Sequence, residues 1–278
     1  MSMLMENNPS QFAICSLASG SSGNCYVVRS QSTAVLIDAG ISARRIKKGL
    51  SALSMDLNDL DGVLITHEHS DHICGLRTLA KASRTCIYAN PDTFLGMDVE
   101  LAEDRCSCFA TGDTFHIGDL SIQTFSVSHD AADPVGYSIG FGGRNIVIVT
   151  DTGIVDRSLL QEICDADILV LESNHDEHIL RMGDYPWFLK QRILGEQGHL
   201  SNEAAAYALA EVLNRERSTG QRKFRRILLA HLSQKNNFPE IAVATMENIL
   251  EEQGCKAGSD IQLVALPRTE ISPFYSVW

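Results

Sequence analysis

The side chains best suited to chemistry lie in the string HEHSDH at positions 67–72, which directly follows an apolar segment at 63–66. Its potential metal ligands are His67, His69, Asp71 and His72. Imidazole nitrogens and carboxylate oxygens at this density suit divalent ions such as Zn²⁺ or Mn²⁺. Because side chains two positions apart in a turn can face the same way, we expect the first two histidines to share one ion. The aspartate and the last histidine would then face a second. The alternative, a polar loop without metal, is disfavoured because three of the nine histidines fall within these six positions.

Other candidate ligands stand just after apolar segments elsewhere in the chain. They are Asp38, His129, Asp151, Glu172 and His231. Taken singly, each is a weak signal, since a lone polar residue after a strand is usually structural. In α/β sheets, however, binding sites gather at the carboxyl ends of strands. The set as a whole therefore predicts one convergent site of imidazoles and carboxylates.

The elements needed to position these residues are visible in the hydrophobic pattern. Eleven short apolar or β-branched segments alternate with amphipathic ones, which predicts a layered α/β architecture. Glycine-containing turns at 20–24 and 141–145 predict hairpins. The spacing predicts helices over 42–53, 73–82, 186–194, 201–217 and 239–250. Ser42 and Ser201 are the expected N-caps.

Composition limits the kind of protein. The chain has 278 residues, 44% of them hydrophobic, enough for one large α/β core or two small domains. Because no Pro/Gly-rich linker divides it, we expect one domain over 11–278 after a frayed tail at 1–10. No apolar segment approaches the roughly 20 residues that span a membrane, and no export signal is recognisable. We therefore expect a cytoplasmic protein with reduced cysteines and no membrane partner. The net charge of −12 disfavours general nucleic-acid binding, so a phosphate backbone would need local cations or metal ions. The oligomeric state stays open.

The order of the polar residues resembles a known family. The sequence has, in order, an aspartate after a strand, the motif H-x-H-x-D-H, and then His, Asp and His at strand ends. This order is similar to that of the metallo-β-lactamase fold superfamily, and the resemblance covers nearly the whole chain. Four strings resemble its YycJ/WalJ group of metal-dependent nucleases: ASGSSGN, ESNHD, GDYPWFLKQRILGEQGHLSNEAA and HLSQKNNFPE. True β-lactamases carry cysteine in place of Asp151, and flavodiiron oxidoreductases carry glutamate in place of His69. Those two activities are therefore disfavoured.

The resemblance implies a four-layer αβ/βα sandwich that holds two divalent metal ions per chain, Zn²⁺ or Mn²⁺ with iron as a further alternative. It implies one ion held by His67, His69 and His129, another held by Asp71, His72 and His231, and Asp151 bridging both. The residue matching Asp38 orients the histidine loop from behind the ligands. A histidine matching His199 is a proton donor in tRNA-processing nuclease relatives.

Further residues are candidates for contact with substrate. The turn at 20–24 can present hydroxyls and backbone N–H groups to a phosphate, although an ordinary hairpin turn has the same composition. The candidate substrate-binding residues are Ser21, Ser22, Asn24, Asn174, His175, Ser201 and Asn202. Basic residues at 44–48 could follow a nucleic-acid backbone or form a solvated helix face.

The preferred interpretation is a phosphodiesterase that uses two metal ions on nucleic acid, with DNA favoured over RNA and 5′→3′ exonuclease action as its specific form. Asp71 would orient the nucleophile, and His199 would protonate the leaving group. Two alternatives remain open. One is a metallohydrolase of a thioester, lactone or cyclic nucleotide; the other is a metal-binding regulator without catalysis.

Overall fold

Two seven-stranded sheets form the frame of the protein. A computed structural model describes residues 12–220, 223–255, 258 and 260–277. The strands are β1 (Ala13–Ala18), β2 (Cys25–Arg29), β3 (Ala34–Ile37), β4 (Gly62–Leu64), β5 (Cys86–Ala89), β6 (Cys106–Cys108), β7 (Thr114–Ile117), β8 (Leu120–Ser126), β9 (Val135–Phe141), β10 (Arg144–Val149), β11 (Ile168–Glu172), β12 (Arg225–Ala230), β13 (Ile261–Ala265) and β14 (Tyr275–Ser276). The first sheet has the order β14-β1-β2-β3-β4-β5-β6, and the second has the order β13-β12-β11-β10-β9-β8-β7.

Helices cover the outer faces of the sheets. They are α1 (Ala43–Ala52), α2 (Ser70–Ile73), α3 (Leu76–Ala82), α4 (Pro91–Gly96), α5 (Arg157–Cys164), α6 (Glu177–Met182), α7 (Trp187–Ile193), α8 (Asn202–Thr219) and α9 (Pro239–Glu252). The hydroxyl of Ser42 accepts a hydrogen bond from the Arg45 N–H, and that of Ser201 accepts one from the Ala204 N–H. Both predicted N-caps are confirmed.

Three apolar clusters separate four layers. Ile146 and Ile148 of β10 face the first sheet across a shared core, whereas Val147 and Val149 face α5, α8 and α9. The outer face of the first sheet packs against α1 and α3 in the same way. Strands buried on both faces carry continuous apolar sequence, which is why these segments stand out. The four-layer αβ/βα sandwich is confirmed.

Each sheet joins a parallel half to an antiparallel half. Strands β3 to β6 run parallel to one another, and so do β10 to β13. The predicted hairpins at 20–24 and 141–145 join antiparallel strands. In the second turn, Gly142 and Gly143 have φ of 58° and 77°, values that glycine adopts without strain. The carboxyl ends of β3, β4, β10, β11 and β12 carry the polar residues of interest.

Some elements differ from expectation. The helix predicted over 73–82 is broken at Gly75, where a Cβ atom would lie 2.1 Å from the carbonyl oxygen of Ile41. The edge strands β6 and β14 are not among the segments that the sequence predicts, and β7 is indicated there only by His116 between two apolar residues. The expected tail at 1–10 lies outside the described residues. Within the described part of the chain, no helix is long and apolar enough to cross a bilayer.

Candidate metal centre

Three polar residues of the centre have an unusual backbone conformation. Asp38, Asp151 and His231 have φ of 59°, 56° and 55°, and each lies one or two residues after the end of a strand. Left-handed conformations of residues other than glycine cost about 1–3 kcal/mol and concentrate at functional sites. The chain therefore maintains a local strain at three strand ends that meet at one edge of the sandwich.

The histidines expected at the first ion lie together. The ligand atoms of His67, His69 and His129 are all within 4.8 Å of one another. The Nδ1–H of His129 donates to the carbonyl of Gly198 at 3.1 Å, and its Nε2 faces Nδ1 of His69 at 3.3 Å. Burial lowers the pKa of His67 and of His129. Both rings are therefore held in the neutral form that metals require.

The residues expected at the second ion also converge. The ligand atoms of Asp71, His72 and His231 lie within 4.8 Å of one another. Burial disfavours the charged forms of both histidines, but Asp151 and further carboxylates outweigh it. They raise the pKa of His72 well above its usual value and that of His231 to about 10. In the metal-free protein, both side chains are therefore positively charged imidazolium groups at neutral pH.

Asp151 lies between the two groups. Its Oδ2 is 3.1 Å from Nε2 of His72, and its Oδ1 is 3.8 Å from Nε2 of His129. Burial opposes ionisation of Asp151, but His231 and His72 hold its pKa well below the usual range. One carboxylate thus reaches both histidine groups, as a bridging ligand must.

Asp38 supports the centre from behind. It accepts the Nδ1–H of His72 at 2.7 Å and the backbone N–H of Thr66 at 2.8 Å. With Nδ1 engaged, His72 presents Nε2 to the centre. This is the orienting role expected of a group behind a ligand histidine.

Glu172 has a role that the sequence did not reveal. Its Oε1 accepts from Nδ1 of both His199 and His231 at 2.8 Å, and its Oε2 accepts from the Thr152 N–H at 2.9 Å. Burial would raise the pKa of Glu172, but the two imidazoles outweigh it and lower that pKa to about 2. The only signal available in the sequence was a charged residue at the end of an apolar strand.

His199 lies at the open side of the centre. Its side chain is 21% exposed, and its Nδ1 is 3.7 Å from Oδ1 of Asp151. Burial lowers the pKa of His199, but Glu172 and Asp151 outweigh this effect and the net shift is upwards. A protonated imidazole with its Nδ1 held by a carboxylate has Nε2–H available for donation.

The donor set fits divalent metal ions. Nε2 of His67 is buried and has no hydrogen-bond partner among the described residues. Oδ2 of Asp151 and Nε2 of His231 are also buried, and they face other candidate ligands: Nε2 of His72 at 3.1 Å and Oδ2 of Asp71 at 3.6 Å. Buried polar atoms left unpaired are costly, so such a group requires an explanation. Cations that accept nitrogen and oxygen ligands would satisfy all three.

The turn at 20–24 borders the centre. Ser21 and Ser22 are exposed at its tip, where a substrate could reach them. Asn24 is buried, with its Nδ2 3.1 Å from Nε2 of His72. Its Oδ1 accepts from the Gly20 N–H at 3.0 Å. Asn24 therefore ties the turn to the centre.

The other four candidate substrate-binding residues are less exposed than the serines of the turn. They are Asn174, His175, Ser201 and Asn202, and all are buried. Nδ2 of Asn174 donates to the His231 carbonyl at 2.9 Å, and Oδ1 of Asn202 accepts the Ser173 hydroxyl at 2.6 Å. The Ser201 hydroxyl caps α8. Burial lowers the pKa of His175 to about 4. All four side chains are therefore buried beside the centre, and their contact with a substrate stays a prediction.

Known proteins with similar sequences and structures agree with this architecture. A family model described as "Beta-lactamase superfamily domain" matches residues 33–218. Exodeoxyribonuclease YycJ of Bacillus anthracis is 40% identical over 250 residues, which are 89% of this chain and 92% of that protein. Exodeoxyribonuclease WalJ of Streptococcus pneumoniae is 39% identical over 266 residues, 92% of this chain and 96% of that protein. The metallo-beta-lactamase fold protein YhfI of Bacillus subtilis superimposes with a TM-score of 0.70 over 94% of this chain and 99% of its own, at 15% identity. That last likeness concerns the fold alone.

Metal uptake should release protons. At pH 7 an incoming ion must displace the proton of His231, whose pKa is raised to about 10, so apparent affinity should increase as pH rises towards that value. Calorimetric titration in two buffers of different ionisation enthalpy measures the proton count, which is the number of protons released when metal binds. His231→Ala should reduce the count, whereas His116→Gln, a change at an exposed histidine of β7, should leave it unaltered. Equal binding enthalpies in both buffers would contradict a protonated His231 in the metal-free protein.

Proposed function

Because the chain belongs to the β-lactamase superfamily, we propose that it is a metal-dependent phosphodiesterase that removes nucleotides from DNA in the 5′→3′ direction. The observation that carries the proposal is the pair of donor groups joined by Asp151. Two relatives that match over almost their whole length are named exodeoxyribonucleases. Their names support DNA as the substrate.

We assign two divalent ions to the centre. The first would be held by His67, His69 and His129, the second by Asp71, His72 and His231, and Asp151 would lie between them. Zn²⁺ or Mn²⁺ suits these ligands, and iron is the further alternative. Such ions act as Lewis acids on a phosphodiester and on the attacking water.

The chain's own residues supply orientation and proton transfer. Burial opposes ionisation of Asp71, but His231 and His72 outweigh it and lower its pKa. The carboxylate can therefore accept a hydrogen bond from the attacking water and orient it. His199, protonated at Nε2 and held at Nδ1 by Glu172, would donate its proton to the leaving oxygen.

Metal ions would also offset the charge of the protein. With a net charge of −12 the protein repels a phosphodiester at long range, and at the centre the imidazolium groups of His72 and His231 offset only part of the charge of Asp71, Asp151 and Glu172. Two divalent ions add four positive charges at the place where the substrate must bind. Metal loading would thus make an acidic protein attractive to a polyanion locally.

A substrate panel tests the proposed activity. Metal-reconstituted protein is incubated with end-labelled DNA and RNA, bis-p-nitrophenyl phosphate and a thioester. Label at the 5′ end of DNA should be released early as a short product, whereas label at the 3′ end should remain on gradually shortened strands. Chelation should abolish cleavage, and restored metal should recover it. Turnover of the thioester alone would support the small-molecule alternative, and no turnover on any substrate would favour a regulator.

His199→Ala should slow DNA cleavage by about 10²–10⁴-fold, the usual contribution of a general acid. The loss should be smaller for bis-p-nitrophenyl phosphate, because p-nitrophenolate leaves with little protonation. Metal content by elemental analysis should equal that of the wild type. If the variant loses a metal, His199 is a ligand; if both substrates lose equally, it binds phosphate and donates no proton.

Glu172→Gln should shift the pH dependence of cleavage. A general acid works only while protonated, so kcat/KM falls as pH rises through its pKa. Removing the carboxylate charge lowers the pKa of His199 and should move the alkaline limb to lower pH. Glu162→Gln is the control, since Glu162 lies on α5 and bonds to Gln123. If the alkaline limb of the pH profile is unchanged in the Glu172 variant, the pair of Glu172 and His199 does not determine the pKa of the proton donor.

A further inference from the structure

An arginine near the end of the described chain reaches the turn at 20–24. The carbonyl of Arg268 accepts the Ser19 N–H at 3.2 Å. A Cβ atom on Gly20 would lie 3.3 Å from Cγ of Arg268, so glycine leaves room for the arginine stem. Its Nη1 donates to the Ser233 carbonyl at 3.4 Å. The guanidinium thus lies between the turn and the segment that follows His231.

Both contacts of Arg268 adjoin the candidate metal centre. The Ser19 hydroxyl accepts the backbone N–H of His231 at 3.0 Å, and Ser233 is two residues beyond that histidine. At the other end of the turn, Asn24 contacts His72. Arg268 is therefore held at the rim of the centre by the same backbone that holds two candidate ligands.

The guanidinium of Arg268 is available for an anion. Its long bond to the Ser233 carbonyl is its one hydrogen bond to a described residue, and none of the described carboxylates forms an ion pair with it. Arginine has five N–H donors in a planar fork, so most of them stay open at this half-buried position. That geometry matches the oxygens of a phosphate.

The positive charge continues from Arg268 onto α1. Nη2 of Arg45 donates to the carbonyl of Thr269 at 3.1 Å, which joins the helix to the residue next to Arg268. Arg44 and Lys48 are exposed on the same helix, one turn apart, and no ion pair is formed by either within the described chain. We name Arg268, Arg45, Arg44 and Lys48 the basic rim.

We propose that Arg268, together with the exposed hydroxyls of Ser21 and Ser22, binds a phosphate of the substrate strand adjacent to the one being cleaved. The phosphodiester backbone would then continue along the basic rim over α1. The inference rests on the proposed function, because it gives a path for a nucleic-acid strand. Charge complementarity supports the proposal: in an acidic protein, the cations of this rim have no carboxylate partners among the described residues, and Arg268 contacts Ser19 and Ser233, which adjoin the centre.

Binding of a fluorescent single-stranded oligonucleotide tests the site. Anisotropy is measured with the metal-loaded protein and an oligonucleotide protected from cleavage by phosphorothioate linkages, at several salt concentrations. Arg268→Gln should raise Kd about tenfold and reduce the slope of log Kd against log salt by about 0.7, the value for one phosphate contact on a single strand. Arg268→Lys should retain the slope but bind more weakly than wild type, because lysine lacks the fork. The control Arg144→Gln, at the amino end of β10, should change neither quantity.

Cleavage assays separate a phosphate contact from damage to the fold. In Arg268→Gln, kcat/KM should fall at least about fivefold more for the oligonucleotide than for bis-p-nitrophenyl phosphate, which has no neighbouring phosphate. Unchanged oligonucleotide affinity and salt slope would overturn the proposal. Equal losses on both substrates with loss of metal would also overturn it, since Arg268 would then merely support the His231 segment. Arginine-dependent binding by a wild type that cleaves no phosphodiester would support the phosphate site while refuting the proposed function.

Discussion

The rest of the structure depends on one constraint, the free-energy cost of burying three carboxylates at one edge of the sandwich. Asp38, Asp151 and Glu172 are each 2% exposed or less, and an isolated charge at such a place would be very costly. Each is compensated by imidazole at short range: Asp38 and Asp151 by His72, and Glu172 by two histidines at once. The compensation is incomplete, since Nε2 of His67, which lies in the same group as Asp151, lacks a hydrogen-bond partner among the described residues. We propose that divalent ions complete it.

The fold makes this concentration of charge possible. Parallel strands in both sheets end at the same edge, so residues far apart in the chain arrive together without long loops. Buried apolar strands on either side fix the directions of Asp38, Asp151 and His231, and the left-handed conformation of these residues turns the chain sharply as each strand ends. The strain is tolerated because three apolar clusters hold the strands in place. The packing of the layers thus stabilises the protein enough to tolerate the backbone strain and the buried charges of the site.

The sequence predicted the parts of this arrangement that are local. HEHSDH after β4 and single polar residues after apolar strands indicated most of the converging side chains, and continuous apolar segments indicated the four layers. Long-range relations were not predictable. Glu172 meets His199 and His231 across 27 and 59 positions, and no spacing rule reveals such a contact. The N–H of Gly75, where the predicted helix is broken, likewise donates to the distant carbonyl of Ala39 at 2.8 Å, and burial of Asn174 and Asn202 depends on packing beside the site. Edge strands β6, β7 and β14 are short and carry partly exposed residues, so hydrophobic pattern alone does not mark them.

Anomalous diffraction from crystals soaked in Mn²⁺, recorded near the manganese absorption edge, tests the bridged pair of ions most directly. We predict two peaks per chain, one contacted by His67, His69 and His129 and the other contacted by Asp71, His72 and His231. Asp151 should contact both. A single peak, or a second peak held by Glu172 and His199 in place of Asp71 and His72, would contradict the assignment of these carboxylates and imidazoles to two bridged ions.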